Sequence, residues 1–307
     1  MAMIEAHQLS RRFGKLTAVD NLNLEVGKGE VLGFLGPNGA GKTTTIRLLA
    51  GIIAATSGYG LVAGWRTDGP VEPLHEAIGL LTESPGFYNR LSASRNLEYF
   101  GGFYQGLNIP AQVEKYLKIM GLWERRADRV GTYSKGMKGR LALARALLHE
   151  PRVLFLDEPT AGLDPEASEE VRGLIKKLST EGRTIFLSTH NLAEAEQLCH
   201  RIAIFRTRLL ALDTPQNLRE RLFRRRVVIR LESVDDATVK AIEKLHFVKS
   251  CNRDGPRLNI ELGEAEKELP ELVRTIVQAG GRVLEVTEEH HSLEEIYLNL
   301  VREEVRV

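Results

Sequence analysis

The chain has 307 residues, 43% of them hydrophobic and 27% charged, as expected of a soluble globular protein of about two domains. A formal net charge of +1 supplies no overall field toward nucleic acid or an acidic membrane surface. The two cysteines, Cys199 and Cys251, lie far apart with no C-x-x-C, which argues against a disulfide framework or a zinc site and suits a reducing cytoplasm. Met1 to Gly14 lacks the apolar core of a signal peptide, and the longest apolar stretch, Leu48 to Ala55, is too short to span a bilayer.

In chain order, the first strong element is the short apolar run Val31–Leu35, predicted to be a buried parallel strand. It runs into Gly36-Pro37-Asn38-Gly39-Ala40-Gly41-Lys42-Thr43, which fits G-x-x-x-x-G-K-[ST]. Thr44–Ala50 then reads as a helix closed by Gly51. In that setting the glycines let backbone N–H groups converge on a β-phosphate, and the helix N-terminus adds its positive dipole end. Lys42 would reach the β- and γ-phosphates of a nucleotide, and the Thr43 hydroxyl would bind Mg²⁺.

Between Glu83 and Leu148 the strand signal almost disappears, predicting a mostly helical insertion over about 84–150. Near its end Met137, Leu141, Ala144 and Leu148 form one apolar helical face. Ser134 and Gly136 fall at that helix's N-terminus, an arrangement that suits an anion as well as a simple N-cap. The apolar run Val153–Leu156 ends in Asp157 and Glu158. A carboxylate at the C-terminal end of a buried strand lies where open α/β sheets bind ligands and hold Mg²⁺, and Glu158, pointing differently, could accept a proton from water. Thr184–Ser188 and Ile202–Phe205 are further buried strands, giving a parallel sheet covered by helices.

The basic stretch Arg219–Arg226 reads as a solvated linker. Beyond it, strand Val227–Leu231, a helix on Leu269, Leu272, Val273, Ile276 and Val277 ended by Gly280-Gly281, strand Arg282–Val286 and a last helix on Leu293, Ile296, Tyr297, Leu300 and Val301 outline a small α/β domain. The order strand, helix, strand, strand, helix, strand, helix over this region suggests a ferredoxin-like sandwich. Ser292 and Glu295 form a capping-box pattern, and the adjacent His290-His291 make a poor metal pair.

Taken together, residues 3–220 resemble the ATP-binding cassette (ABC) ATPases. Tyr133-Ser134-Lys135-Gly136-Met137 is similar to the family's signature Leu-Ser-Gly-Gly-Gln, matching at Ser134 and Gly136 and departing at three positions. The resemblance implies an α/β P-loop ATPase domain over 1–220 and an accessory α/β domain over 221–307. It implies that Gly36 to Thr44 cradle ATP, that Phe13 stacks on adenine, that Glu158 activates water, and that His190 and Lys42 meet the γ-phosphate. Thr43, Asp157 and Glu83 would hold Mg²⁺, with Glu83 standing where the family usually has Gln. Ser134 and Gly136 would complete the site of a second subunit in a homodimer, and Asp164 would contact that subunit. The implied role is to power a membrane permease, bound at the inner face of the cell membrane, in an exporter of drugs, antibiotics or lipids. Ser84–Ser92 resembles that exporter group, and Phe87 and Tyr88 are candidate contacts to the permease. The alternative is a soluble ABC ATPase acting on ribosomes or nucleic acid. A single cassette, the absence of long coiled-coil insertions and the neutral charge count against it, so no nucleic-acid partner is expected.

Overall fold

The computed structural model describes residues 2–83, 85–222, 226–262 and 265–289, so the last helix with its Ser292–Glu295 cap, the His290-His291 pair, Ser84 and part of the basic stretch lie outside the described residues. The chain divides into two compact units, Met1–Pro215 and Gln216–Val307.

The first unit opens with long strands that the sequence patterning does not announce. Strands β1 (Ala2–Phe13) and β2 (Leu16–Gly27) pair antiparallel across Gly14-Lys15. Each carries a left-handed residue where the register shifts: Gln8 (φ 48°) between Ala6↔Leu24 and Leu9↔Leu22, and Asn21 (φ 47°) between Leu9↔Leu22 and Arg11↔Val19. Such a bulge moves the inward face by one residue. Ile4, Ala6 and then Leu9 are buried, so strict alternation is broken although the strand continues.

Strand β3 (Val31–Leu35) leads into helix α1 (Lys42–Leu49), which ends with Gly51 at φ 68°. Strands β4 (Ser57–Val62) and β5 (Trp65–Arg66) complete the first sheet, in the order β2-β1-β4-β5. Helix α2 (Val71–Ala77) and strand β6 (Ile78–Leu81) follow. Among the described residues only helices then appear up to Leu147: α3 (Ala93–Gly101), α4 (Ile109–Ile119), two short 3₁₀ turns and α5 (Lys135–Leu147). Strand β7 (Val153–Asp157), α6 (Pro165–Thr180), β8 (Thr184–Thr189), α7 (Leu192–Leu198), β9 (Arg201–Arg206) and β10 (Arg208–Asp213) close the unit, followed by α8 (Pro215–Leu222).

The second sheet runs β10-β9-β3-β8-β7-β6, parallel except for the β10 edge. β3 and β7 are buried at every position, as the covered faces of a parallel sheet require. Phe34, Phe155, Phe186 and Phe205 pack ring to ring through one core that joins both sheets.

In the second unit, β11 (Arg226–Leu231), α9 (Asp236–Glu243), β12 (Val248–Asp254), β13 (Arg257–Leu262), α10 (Ala265–Gln278) and β14 (Val283–Glu289) make an antiparallel sheet in the order β12-β13-β11-β14. That order, with both helices as crossovers, is a ferredoxin-like arrangement. Val227, Ile229, Leu258, Ile260, Leu272 and Ile276 form its separate core.

Candidate nucleotide site

The turn from β3 to α1 builds the phosphate cradle. Gly36 has no alternative, because a Cβ there would stand 2.2 Å from the Phe205 carbonyl oxygen of β9. Gly41 holds φ 101°, and its Cβ would lie 2.1 Å from the Ala18 carbonyl oxygen. These contacts press the loop against β2 and β9 while the first-turn amides of α1, which have no acceptor within the helix, point outward. Lys42 is 6% exposed, and its ammonium donates back to the carbonyls of Gly36 (2.8 Å) and Pro37 (3.3 Å). The loop is thus wrapped around its own lysine.

Opposite the loop, β7 and β8 end side by side, with Asp157 paired in register to Ser188. Asp157 is 2% exposed and accepts the Ser188 hydroxyl at 2.5 Å. At the next residue the chain turns left-handed: Glu158 has φ 51°, a conformation costing about 1–3 kcal/mol for a residue with a Cβ. Its N–H donates to the Ser188 carbonyl at 3.1 Å, and the turn throws its side chain toward the cradle. Glu158 Oε1 stands 3.1 Å from Lys42 Nζ, close enough for charge attraction but without a hydrogen bond of good geometry. Glu158 Oε2 lies 2.8 Å from His190 Nδ1. A lysine at the start of α1, a carboxylate just after β7 and a histidine just after β8 therefore meet around one carboxyl group.

These groups border an open cleft of about 510 Å³ whose other walls include Phe13, Pro37 to Thr44 and Glu83. Phe13 is 44% exposed and carries the Arg11 guanidinium 4.5 Å from its ring centroid, leaving an aromatic surface at the cleft. Asp157 does not border the cleft; it lies behind it, on Ser188. Ser134 and Gly136 are also absent from its walls. Ser134 is the N-cap of α5, accepting from the Met137 N–H at 3.2 Å, and Gly136 is buried where a Cβ would meet the Ala167 methyl at 3.0 Å. Asp164 caps α6 through the Ala167 N–H at 2.8 Å. Ser188, which holds Asp157, is marked in the sequence only as a hydroxyl at the end of the strand Thr184–Ser188.

Of the three oxygen donors expected to hold Mg²⁺, Thr43 and Glu83 line the cleft while Asp157 stands behind it on Ser188; a hydroxyl and carboxylates are donors of the kind a hard cation takes. No cage of three or more acidic, His or Cys side chains forms among the described residues.

A glycine loop folded on its lysine at a helix N-terminus, facing a strand-end carboxylate and a histidine, is the construction of a P-loop nucleoside triphosphatase. The family model described as "ABC transporter" matches residues 19–161, and that described as "ATP-binding protein DrrA1-3-like, C-terminal domain" matches residues 214–301. The bacitracin transport ATP-binding protein BcrA of Bacillus licheniformis is 37% identical across 97% of this chain and 97% of its own length. A fluoroquinolones export ATP-binding protein of Mycobacterium tuberculosis is 40% identical over 73% of this chain and 75% of its own. Among solved structures, a dimeric ATP-binding cassette in a post-hydrolysis state with ADP and Pi is 26% identical, with a TM-score of 0.63 over 69% of this chain and 98% of that one. The chain belongs to the ATP-binding proteins of ABC transporters and is an ATPase.

Proposed function

We propose that this ATPase powers export of a drug-like, antibiotic or lipid cargo through a separate membrane permease, working as a homodimer at the inner face of the cell membrane. The ATP-binding domain in this reading is residues 1–220, with 221–307 accessory to it. The observation that carries the proposal is the division of the machinery. Lys42, Glu158 and His190 meet in one cleft, whereas the signature residues Ser134 and Gly136 stay out of it. A second copy, head to tail, would bring its Ser134 and α5 N-terminus to the γ-phosphate. Neither protomer then hydrolyses ATP alone. Glu158 takes the proton of the attacking water, His190 and Lys42 hold the γ-phosphate, and Phe13 stacks on the base. Thr43, Asp157 and Glu83 would hold Mg²⁺, which when bound would supply positive charge to the phosphates.

The export reading is supported by the transport and export functions named for the bacitracin and fluoroquinolone relatives. Among the described residues no helix is long and apolar enough to cross a membrane, and in this reading a separate permease supplies the path for cargo. An exposed aromatic ladder on the helical insertion suits that partner. Tyr88 (48% exposed), Tyr99 (48%) and Phe103 (70%) stack edge to face at 5.0 and 5.5 Å. Beside it, a groove of about 540 Å³ includes Phe100, Tyr104 and His149. Phe87 is half-buried under the Arg145 guanidinium, so Tyr88 rather than Phe87 offers the open contact. The test is co-purification from membranes of the native host: capture of a multi-span membrane protein supports the reading, and co-sedimentation with ribosomes instead overturns it.

A further inference from the structure

Glu194 is a buried carboxyl group to which the reading above gives no task. It is 2% exposed, at the third position of α7. A glutamate there ordinarily folds back onto the N–H of its own N-cap residue. Here that amide, on Asn191, is taken by Thr189 Oγ1 at 3.0 Å. The Glu194 carboxyl reaches out of the helix instead. Oε2 accepts the Thr189 hydroxyl at 2.6 Å, and Oε1 accepts the Thr160 hydroxyl at 2.7 Å. Among the described residues no cation pairs with it. Sinking a carboxyl on two hydroxyls alone costs stability that an apolar side chain would not.

The two hydroxyls belong to the loops that present the reacting groups. Thr160 lies two residues after Glu158, and Thr189 immediately precedes His190. The helix carrying Glu194 is itself pinned to the cradle strand. A Cβ on Gly33 of β3 would lie 2.7 Å from Cys199 Sγ and 3.6 Å from the Ala195 methyl, so α7 rests directly on that strand. At its end, His200 N–H donates to the Val31 carbonyl and Val31 N–H donates to His200 Nδ1, both at 2.9 Å. One rigid element thus ties β3, the Glu158 loop and the His190 loop together.

We infer that Glu194 is a positioning residue for ATP hydrolysis: by joining Thr160 to Thr189 it holds Glu158 and His190 at their 2.8 Å spacing on the nucleotide side. The inference rests on the assignment of Glu158 and His190 to hydrolysis. Displacing a reacting group by about 1 Å can cost about 100-fold in rate without touching binding.

The test measures kcat, KM and equilibrium ATP binding for Glu194→Ala, Glu194→Gln, Thr160→Val and Thr160→Ser, alone and combined with His190→Ala. Glu194→Ala should lower kcat by about 10- to 100-fold while ATP affinity stays within about threefold. The isosteric Glu194→Gln should lose less. Thr160→Val, on the half-exposed side of the network, should repeat the kcat loss and Thr160→Ser should restore it, which covers the case in which Glu194→Ala fails to fold. In the His190→Ala background the Glu194 and Thr160 losses should shrink, because only Glu158 is then left to position. Losses that multiply independently of His190, or unchanged kcat in the Glu194 and Thr160 variants while His190→Ala is impaired, would overturn the inference. Full activity in Glu158→Gln and His190→Ala would instead sink the site assignment, and this inference with it.

Discussion

Replacing Glu158 by Gln separates binding from chemistry in this cleft. Gln has the same shape, so the left-handed turn at φ 51° and the backbone bond to Ser188 remain. Two things change. The water loses its proton acceptor, and a positioned general base contributes about 100- to 10,000-fold, or about 3–5 kcal/mol of barrier. The negative charge 3.1 Å from Lys42 Nζ also disappears. That ammonium is then held by the Gly36 and Pro37 carbonyls alone, and a triphosphate can claim it without displacing a carboxylate. An ion pair without hydrogen-bond geometry is worth less than a hydrogen bond to a charged group, about 1.5–3 kcal/mol, and the two carbonyls recover part of that. ATP affinity should therefore stay level or rise, by up to about tenfold. Phosphate release at saturating MgATP should fall by at least about 100-fold, while equilibrium dialysis shows undiminished ATP binding and light scattering shows an ATP-dependent dimer. A rate within about threefold of the parent protein would refute the base assignment, and weaker ATP binding would refute the competition between Glu158 and phosphate for Lys42.

Other perturbations follow from the same geometry. Gly41→Ala, at φ 101° and 2.1 Å from the Ala18 carbonyl, should abolish ATP binding and lower the thermal midpoint, whereas Gly39→Ala, with open space around its Cβ, should cost only about 1–2 kcal/mol. Because Glu83 borders the cleft as a carboxylate, Glu83→Gln should keep hydrolysis but move the Mg²⁺ concentration giving half-maximal rate; superimposable Mg²⁺ titrations would contradict this. Burial alone would raise the Glu150 carboxyl pKa, but the bonds from Lys115, Arg183 and Tyr116 outweigh it and hold the group at about 2. Since the folded value lies below the ordinary value of about 4.3, this contribution is full above that pH and is lost as pH falls toward about 2. Denaturation midpoints of Glu150→Gln should therefore trail the parent at pH 7 and converge with it in acid. Tyr99→Ala and Phe103→Ala should leave the isolated ATPase rate unchanged but weaken permease capture; capture at parental strength would remove the aromatic ladder from that role.

The phosphate loop, the strand-end carboxylates and the order of the accessory domain were legible in the residues because each is local. A fixed glycine spacing between an apolar run and a helix, or four apolar residues before two acids, states its backbone conformation within a few positions. The first two strands were not legible, because the bulges at Gln8 and Asn21 switch the buried face partway along and erase the alternation a strand is read by. Nor did the sequence state why Gly36 must be glycine, since the obstructing carbonyl comes from Phe205, far along the chain.

What the linear order settled by itself was the inventory: which residues can cradle phosphate, accept a proton or cap a helix. Tertiary structure alone decided their relations. The left-handed turn at Glu158 faces its carboxyl to Lys42 and His190, Asp157 withdraws onto Ser188, and Glu194 leaves its own helix cap to join Thr160 to Thr189. Those distances depend on β7 lying beside β8 and on α7 resting on β3. Such contacts join residues remote in sequence, and only packing of the whole sheet brings them within a hydrogen bond's reach.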